Sequence, residues 1–186
     1  MHVTWYTAMS MDGRIASADS SLDFLDTIES DPTSQEDGGE GFEPFIASVD
    51  AVVVGASTMR WLLDRGHALP AAGKATWVVS HDASILERIG VTPVSVQRHA
   101  GDLGSLFASI EAAGHERIWL AGGGDVAGQA LAIDRVDEVV VTIAPVVLGR
   151  GPALFDNDRL PPHRFVLTQC RRDGTAACLT WRRQRS

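Results

Sequence analysis

The stretch RIWLAGGGDVAGQAL, Arg117 to Leu131, places three bare glycines between an apolar run and a segment whose apolar periodicity predicts a helix. Helix starts leave backbone N–H groups without partners and carry partial positive charge. Glycine lets an anion close to those groups, because no Cβ intervenes. A tight turn packing helix on sheet would select the same glycines, and the run alone does not choose between the two readings. It lacks the spacing of the G-x-G-x-x-G dinucleotide fingerprint. Two further junctions carry similar chemistry. AVVVGAST sets Gly55 and Thr58 where an apolar run gives way to a helix, and ATWVVSH sets Ser80 and His81 at the end of another run. Backbone N–H groups, hydroxyls and an imidazole at three junctions suit an extended anionic ligand such as a dinucleotide. Parallel sheets bind ligands at the carboxyl ends of their strands.

The elements that must position these junctions are legible as runs. HVTWYTA (2–8), AVVVGA (51–56), ATWVVS (75–80), VTPVSV (91–96), RIWLA (117–121) and EVVVTIA (138–144) are rich in β-branched residues and Trp. Several are near-continuous rather than alternating, which predicts strands covered on both faces. Helical segments alternate with them. Leu103, Leu106, Phe107 and Ile110 keep the i, i+3, i+4, i+7 spacing behind a capping Asp102. Shorter helices are predicted over 42–49, 57–64, 83–89 and 126–133. HRFVLTQ (163–169) and TAACLTW (175–181) flank RRDG, and Asp173-Gly174 is a hairpin turn signal. The predicted class is α/β. Its central sheet is mostly parallel, with helices on both faces and a C-terminal antiparallel hairpin, and residues 1–186 form one domain.

Composition narrows the function. The net charge is −8, and no Lys or Arg lies between Arg14 and Arg60, while nine acids crowd Asp19 to Glu43. This balance argues against nucleic-acid binding. Arg171, Arg172, Arg182, Arg183 and Arg185 form the one basic cluster, read as a solvated hairpin face and tail. No apolar run approaches a membrane span and the N-terminus lacks a secretory pattern, so a cytoplasmic protein is expected. Cys170 and Cys178 are read as two buried free thiols rather than a metal site.

The ordered set AMSMDGRIA (8–16), LDFLD (22–26), DAVVVGASTM (50–59), WVVS (77–80), WLAGGGDVAGQAL (119–131) and VDEVVVTIAPVVLGRGPALF (136–155) resembles the dihydrofolate reductase-like fold. It is more closely similar to the reductase domain of bifunctional riboflavin-biosynthesis deaminase–reductases and its stand-alone relatives. No H-x-E with P-C-x-x-C, the deaminase signature, occurs in this sequence. The resemblance implies a three-layer fold and NADPH-dependent hydride transfer to a pyrimidine- or pterin-like small molecule, as in a 5-amino-6-(5-phosphoribosylamino)uracil reductase. By position it puts Ala8 at the nicotinamide end and Phe24 in place of a cofactor-contacting aromatic. Gly55 and Thr58 would meet cofactor phosphates. Ser80 and His81 would face the adenosine 2′-phosphate, and Gly122, Gly123, Gly124, Asp125 and Val126 would hold the pyrophosphate. Asp12, Asp23, Leu62, Ala121 and the loop around Gly149, Arg150 and Gly151 would border the substrate. A homodimer is also implied. Three departures stand out: Ala56 and His81 occupy positions where relatives often have Arg, and Ala121 one where they usually have Glu. Reduction of dihydrofolate itself and a non-catalytic nucleotide-binding module remain open alternatives.

Overall fold

The computed structural model describes residues 1–29, 42–71, 73–90, 95–156 and 160–185. Their elements are β1 (His2–Ser10), a 3-10 turn (Asp23–Thr27), α1 (Phe42–Ser48), β2 (Ala51–Gly55), α2 (Ala56–Asp64), β3 (Ala75–Val79) and α3 (Ile85–Ile89). They continue with β4 (Val96–His99), α4 (Leu103–Ala112), β5 (Arg117–Gly122), α5 (Gly124–Ala132), β6 (Glu138–Ala144), β7 (Phe165–Asp173) and β8 (Ala176–Arg183). These eight strands make one sheet in the order β4-β3-β2-β5-β1-β6-β8-β7. The first six pair in parallel, and the β7–β8 hairpin returns antiparallel beside β6.

Alternation along the central strands assigns each side chain a face. Val3 and Trp5 of β1, Ala51 and Val53 of β2, and Ile118 and Leu120 of β5 pack with Leu106, Phe107 and Ile110 of α4 and with Val126, Ala130 and Leu131 of α5. The intervening Tyr6, Val52 and Trp119 face the other way, against Phe45 and Ile46 of α1. Val54 and Val78 join Met59 of α2 and Ile85 of α3 on that side. Every residue of β2 is buried, the outcome predicted by its unbroken apolar run. Asp102 caps α4 by accepting from the Ser105 N–H, as its position before the periodic segment implies.

Two expectations change. The run over 91–96 predicts a strand, but the strand is Val96–His99, and residues 91–94 lie outside those described. This edge strand, VQRH, pairs on one side with β3 and is only half-buried, so it needs no apolar run. Of the nine acids between Asp19 and Glu43, those from Asp31 to Glu40 lie outside the described residues. Cys170 is exposed while Cys178 is buried, because the two sit at opposite phases of adjacent strands.

Candidate functional site

Three adjoining hollows of about 480, 300 and 440 Å3 run along the carboxyl edge of the parallel strands. The first and second share Ser57, Gly123 and Asp125, and the second and third share Ile15 and Leu22. Together they form a groove suited to an elongated ligand.

The glycine question has a structural answer. A Cβ on Gly122 would run into the Thr58 side chain, and one on Gly124 into the Ala153 carbonyl oxygen. Gly123 holds φ +90, a left-handed conformation that side chains disfavour. Packing and backbone geometry therefore select all three residues without a ligand. The same loop nevertheless lines two hollows. Neither α2 nor α5 has a side-chain N-cap; Gly55 and Gly123 occupy those positions. The first N–H groups of both helices consequently lack an intrahelical or capping side-chain acceptor and lie beside the groove. α4, capped by Asp102, shows the alternative arrangement.

In the first hollow Ser80 is buried and its hydroxyl closes a turn, accepting from the Asp82 N–H at 3.0 Å. His81 is exposed. Asp82, which the sequence reading did not single out, accepts from the Ser84 hydroxyl at 2.7 Å and faces Arg60 at 3.4 Å. Ser84, then Arg60, hold the Asp82 carboxyl below the usual carboxylate range. Asp125 is exposed and accepts from Gln129. In the second hollow Thr58, Gly123 and Gly124 face Trp61, whose Nε1 is buried with no hydrogen-bond partner.

The third hollow is walled by aromatics and floored by the sheet. Tyr6 and Ala8 of β1, Trp119 and Ala121 of β5 and Thr142 of β6 share the α1 face, joined by Phe24 and Phe42. Register extends the floor to the hairpin: Ala8 stands opposite Thr142, Thr142 opposite Cys178, and Cys178 opposite Arg171. Arg171 is thereby carried inward. Its side chain is only 8% exposed and lies 3.5 Å from Asp173, two residues on and on the same strand face. Burial pushes the Tyr6 phenol above its usual pKa, with the Arg171 guanidinium opposing. Tyr6 is a neutral phenol at neutral pH.

This corrects the reading of Arg171 as part of a solvated basic face. Arg183 is also largely buried, paired with Asp134, whereas Arg182 and Arg185 are exposed. The Asp173-Gly174 turn signal contained the missed information. It fixes the hairpin register, and alternation then puts Arg171 and Asp173 on one face and Arg172 on the other. Tyr6, Trp119 and Phe42 were likewise missed.

Of the residues named from the sequence, Gly55, Ser80, His81, Asp125 and Val126 line the first hollow, Thr58 and Gly124 the second, and Ala8, Phe24 and Ala121 the third. Gly123 lines the first two, and Gly122 packs beneath Thr58. Asp12, Asp23, Leu62 and Gly149 line none of the three. Asp23 is exposed on the 3-10 turn whose Phe24 points inward. Leu62 follows Trp61 on α2 and is half-buried. Asp12 accepts from the Ser10 hydroxyl and from the Leu148 and Gly149 N–H groups, latching the loop after β6 to the end of β1. Those bonds, Ser10 first, pull its pKa from 3.8 down to about 2. A carboxylate with a depressed folded pKa stabilises above its unfolded value and loses that contribution as pH falls through the folded one. The stability gap between wild type and Asp12→Ala in urea is therefore expected to be full at neutral pH and to close as pH falls from 3.8 toward about 2. A gap constant with pH would contradict the latch.

A family model described as the RibD C-terminal domain matches residues 62–179. The chain is 31% identical over 150 residues to the uncharacterized protein YwjB of Bacillus subtilis (strain 168), covering 81% of this chain and 80% of that one. A crystal structure from Shewanella sp. PV-4, described as a riboflavin biosynthesis protein, superposes with TM-score 0.81 at 25% identity and full coverage of both chains. A dihydrofolate reductase of Enterococcus faecalis, complexed with NADP(H) and RAB-propyl, superposes with TM-score 0.61 at 16% identity, over 99% of this chain and 97% of that one. The fold is thus the dihydrofolate reductase-like one.

Proposed function

This chain belongs to the RibD C-terminal domain family, and on that premise we propose that it reduces a planar pyrimidine- or pterin-like ring with a reduced nicotinamide dinucleotide. The carrying observation is that the three hollows adjoin. The aromatic hollow holding Tyr6, Arg171 and Asp173 connects through shared walls to two uncapped helix starts.

The residues present fit the dinucleotide's pyrophosphate. N–H groups at the starts of α2 and α5 would hold it, as helix N-termini hold phosphates generally. The small Ala8 and Ala121 leave room for a flat ring at the third hollow. NADPH is the form the family resemblance implies. When bound, the dinucleotide supplies the hydride, so the protein needs no nucleophile; its part is to orient the acceptor and exclude water. Phe24, Phe42 and Trp119 supply the apolar walls. Arg171 would donate to an acceptor oxygen, Asp173 would accept from a ring N–H, and the neutral Tyr6 hydroxyl would give a proton.

The test follows oxidation of NADPH and NADH with a phosphoribosylaminouracil acceptor and, separately, with dihydrofolate. Turnover of the pyrimidine supports the proposal, and faster turnover of dihydrofolate reverses the substrate order. Tight nucleotide binding without oxidation by either acceptor supports the non-catalytic module.

We also propose a cytoplasmic homodimer built from residues 1–186 as one domain. No helix among the described residues is long and apolar enough to cross a membrane. Phe165 and Trp181 form an apolar patch with Leu154 and Phe155 at the hairpin, which a second copy would cover. Sedimentation is expected to give twice the chain mass of 19.9 kDa, and a monomer at micromolar concentration would contradict this.

A further inference from the structure

The first hollow, at the end of the groove remote from Tyr6 and Arg171, has a charge pattern of its own. Its lining includes one permanent cation, Arg60, and two carboxylates, Asp82 and Asp125. Arg60 faces Asp82 at 3.4 Å. Ala56, at the first position of α2, adds no charge. The imidazoles His81 and His99 complete the titratable set, and His99 Nε2 is engaged by the Asp102 carbonyl oxygen at 2.9 Å. Arg98 donates to the Ser80 carbonyl at 3.0 Å and is not among the lining residues.

A phosphate monoester near neutral pH carries close to two negative charges and is held best by unpaired guanidinium groups. Here the guanidinium is paired, and a carboxylate stands beside it. A carboxylate does the reverse job well: it accepts hydrogen bonds from the vicinal hydroxyls of a ribose and repels a phosphate in their place. The same division separates NAD from NADP sites on other dinucleotide folds. Asp82 is suited to this role because the turn fixes it. Ser80 accepts from its N–H, and Ser84 donates to one carboxylate oxygen, while the other faces Arg60.

We infer that Asp82 reads the unphosphorylated adenosine ribose, so that this protein selects NADH over NADPH. This rests on the reductase reading only in that a dinucleotide occupies the groove. Arg60 becomes the orienting partner of Asp82 rather than a phosphate ligand.

The test is the pair of dissociation constants for NADH and NADPH, read from nicotinamide fluorescence, in wild type, Asp82→Asn and Ala56→Arg. Wild type is expected to bind NADH at least about tenfold tighter. Asp82→Asn removes the repelling charge and releases Arg60, moving the ratio toward NADPH by about tenfold or more. Ala56→Arg adds a cation at the helix surface and shifts the ratio the same way. Each ratio is taken within one sample, so a partly misfolded variant does not distort it. Equal or tighter NADPH binding by wild type, or an unchanged ratio in Asp82→Asn, overturns the inference and leaves the reductase reading standing. Failure of either nucleotide to bind at millimolar concentration overturns both.

Discussion

Replacing Arg171 by methionine is expected to lower kcat/KM for the acceptor by about a hundredfold or more while leaving dinucleotide affinity within about twofold. The asymmetry follows from position. Arg171 lies in the third hollow, and no residue of the hairpin lines the first or second. Its guanidinium is nearly buried and paired with Asp173, and it lines the same hollow as Tyr6. Removing it takes the cation away from Asp173 and from the acceptor's hollow, while the lining of both helix starts stays as it is. Lysine is not expected to rescue, because a point charge cannot reproduce the planar fork that a guanidinium offers to a carboxylate and an acceptor oxygen together. Steady-state kinetics and nucleotide titration on the same preparations give the split. A parallel fall in acceptor turnover and dinucleotide affinity would make Arg171 a structural residue and contradict its place at the acceptor.

The second large effect falls on Gly124. A methyl group there meets the Ala153 carbonyl oxygen and approaches that of Leu154, both backbone atoms that cannot rotate away. Gly124→Ala is expected to destabilise the fold by about 3 kcal/mol, at the upper end for inserted bulk, because the relief available is a shift of α5 away from the chain at 152–156. The Asp156 N–H to Gly124 carbonyl bond, 3.1 Å, lies in the same contact and would stretch with it. Since the start of α5 also borders the groove, dinucleotide affinity should fall along with the urea midpoint. A change within about 0.5 kcal/mol, as for an ordinary surface substitution, would contradict the packing explanation of the glycine turn.

The two sites differ in how far they could be read from the chain. The glycine junctions were legible because their signal is local: a strand, a bare residue and a helix follow one another in sequence. The same holds for α4, whose cap and apolar spacing match the structure. The unbroken run of β2 announced a strand buried on both faces. Arg171 was not legible in that way. Its inward turn depends on β8 lying beside β6, which brings Cys178 next to Thr142 and Arg171 next to Cys178. Asp82 depends on the order of β2, β3 and β4, which sets the turn after Val79 against the start of α2, where Arg60 waits. Asp12 and Gly149, which the resemblance sets at the substrate border, bond each other, and that tie between the end of β1 and the loop after β6 is not legible from either segment alone. Long-range pairing decides what a charged side chain meets, and residue type alone does not contain it.

The most direct measurement is a crystal structure with the oxidised dinucleotide bound. The expected result is the pyrophosphate within hydrogen-bond distance of backbone N–H groups at the starts of both α2 and α5, with the nicotinamide ring extending toward Ala8 and the hollow of Tyr6 and Arg171. A dinucleotide lying elsewhere on the molecule, or a pyrophosphate touching neither helix start, would contradict the reading of the groove.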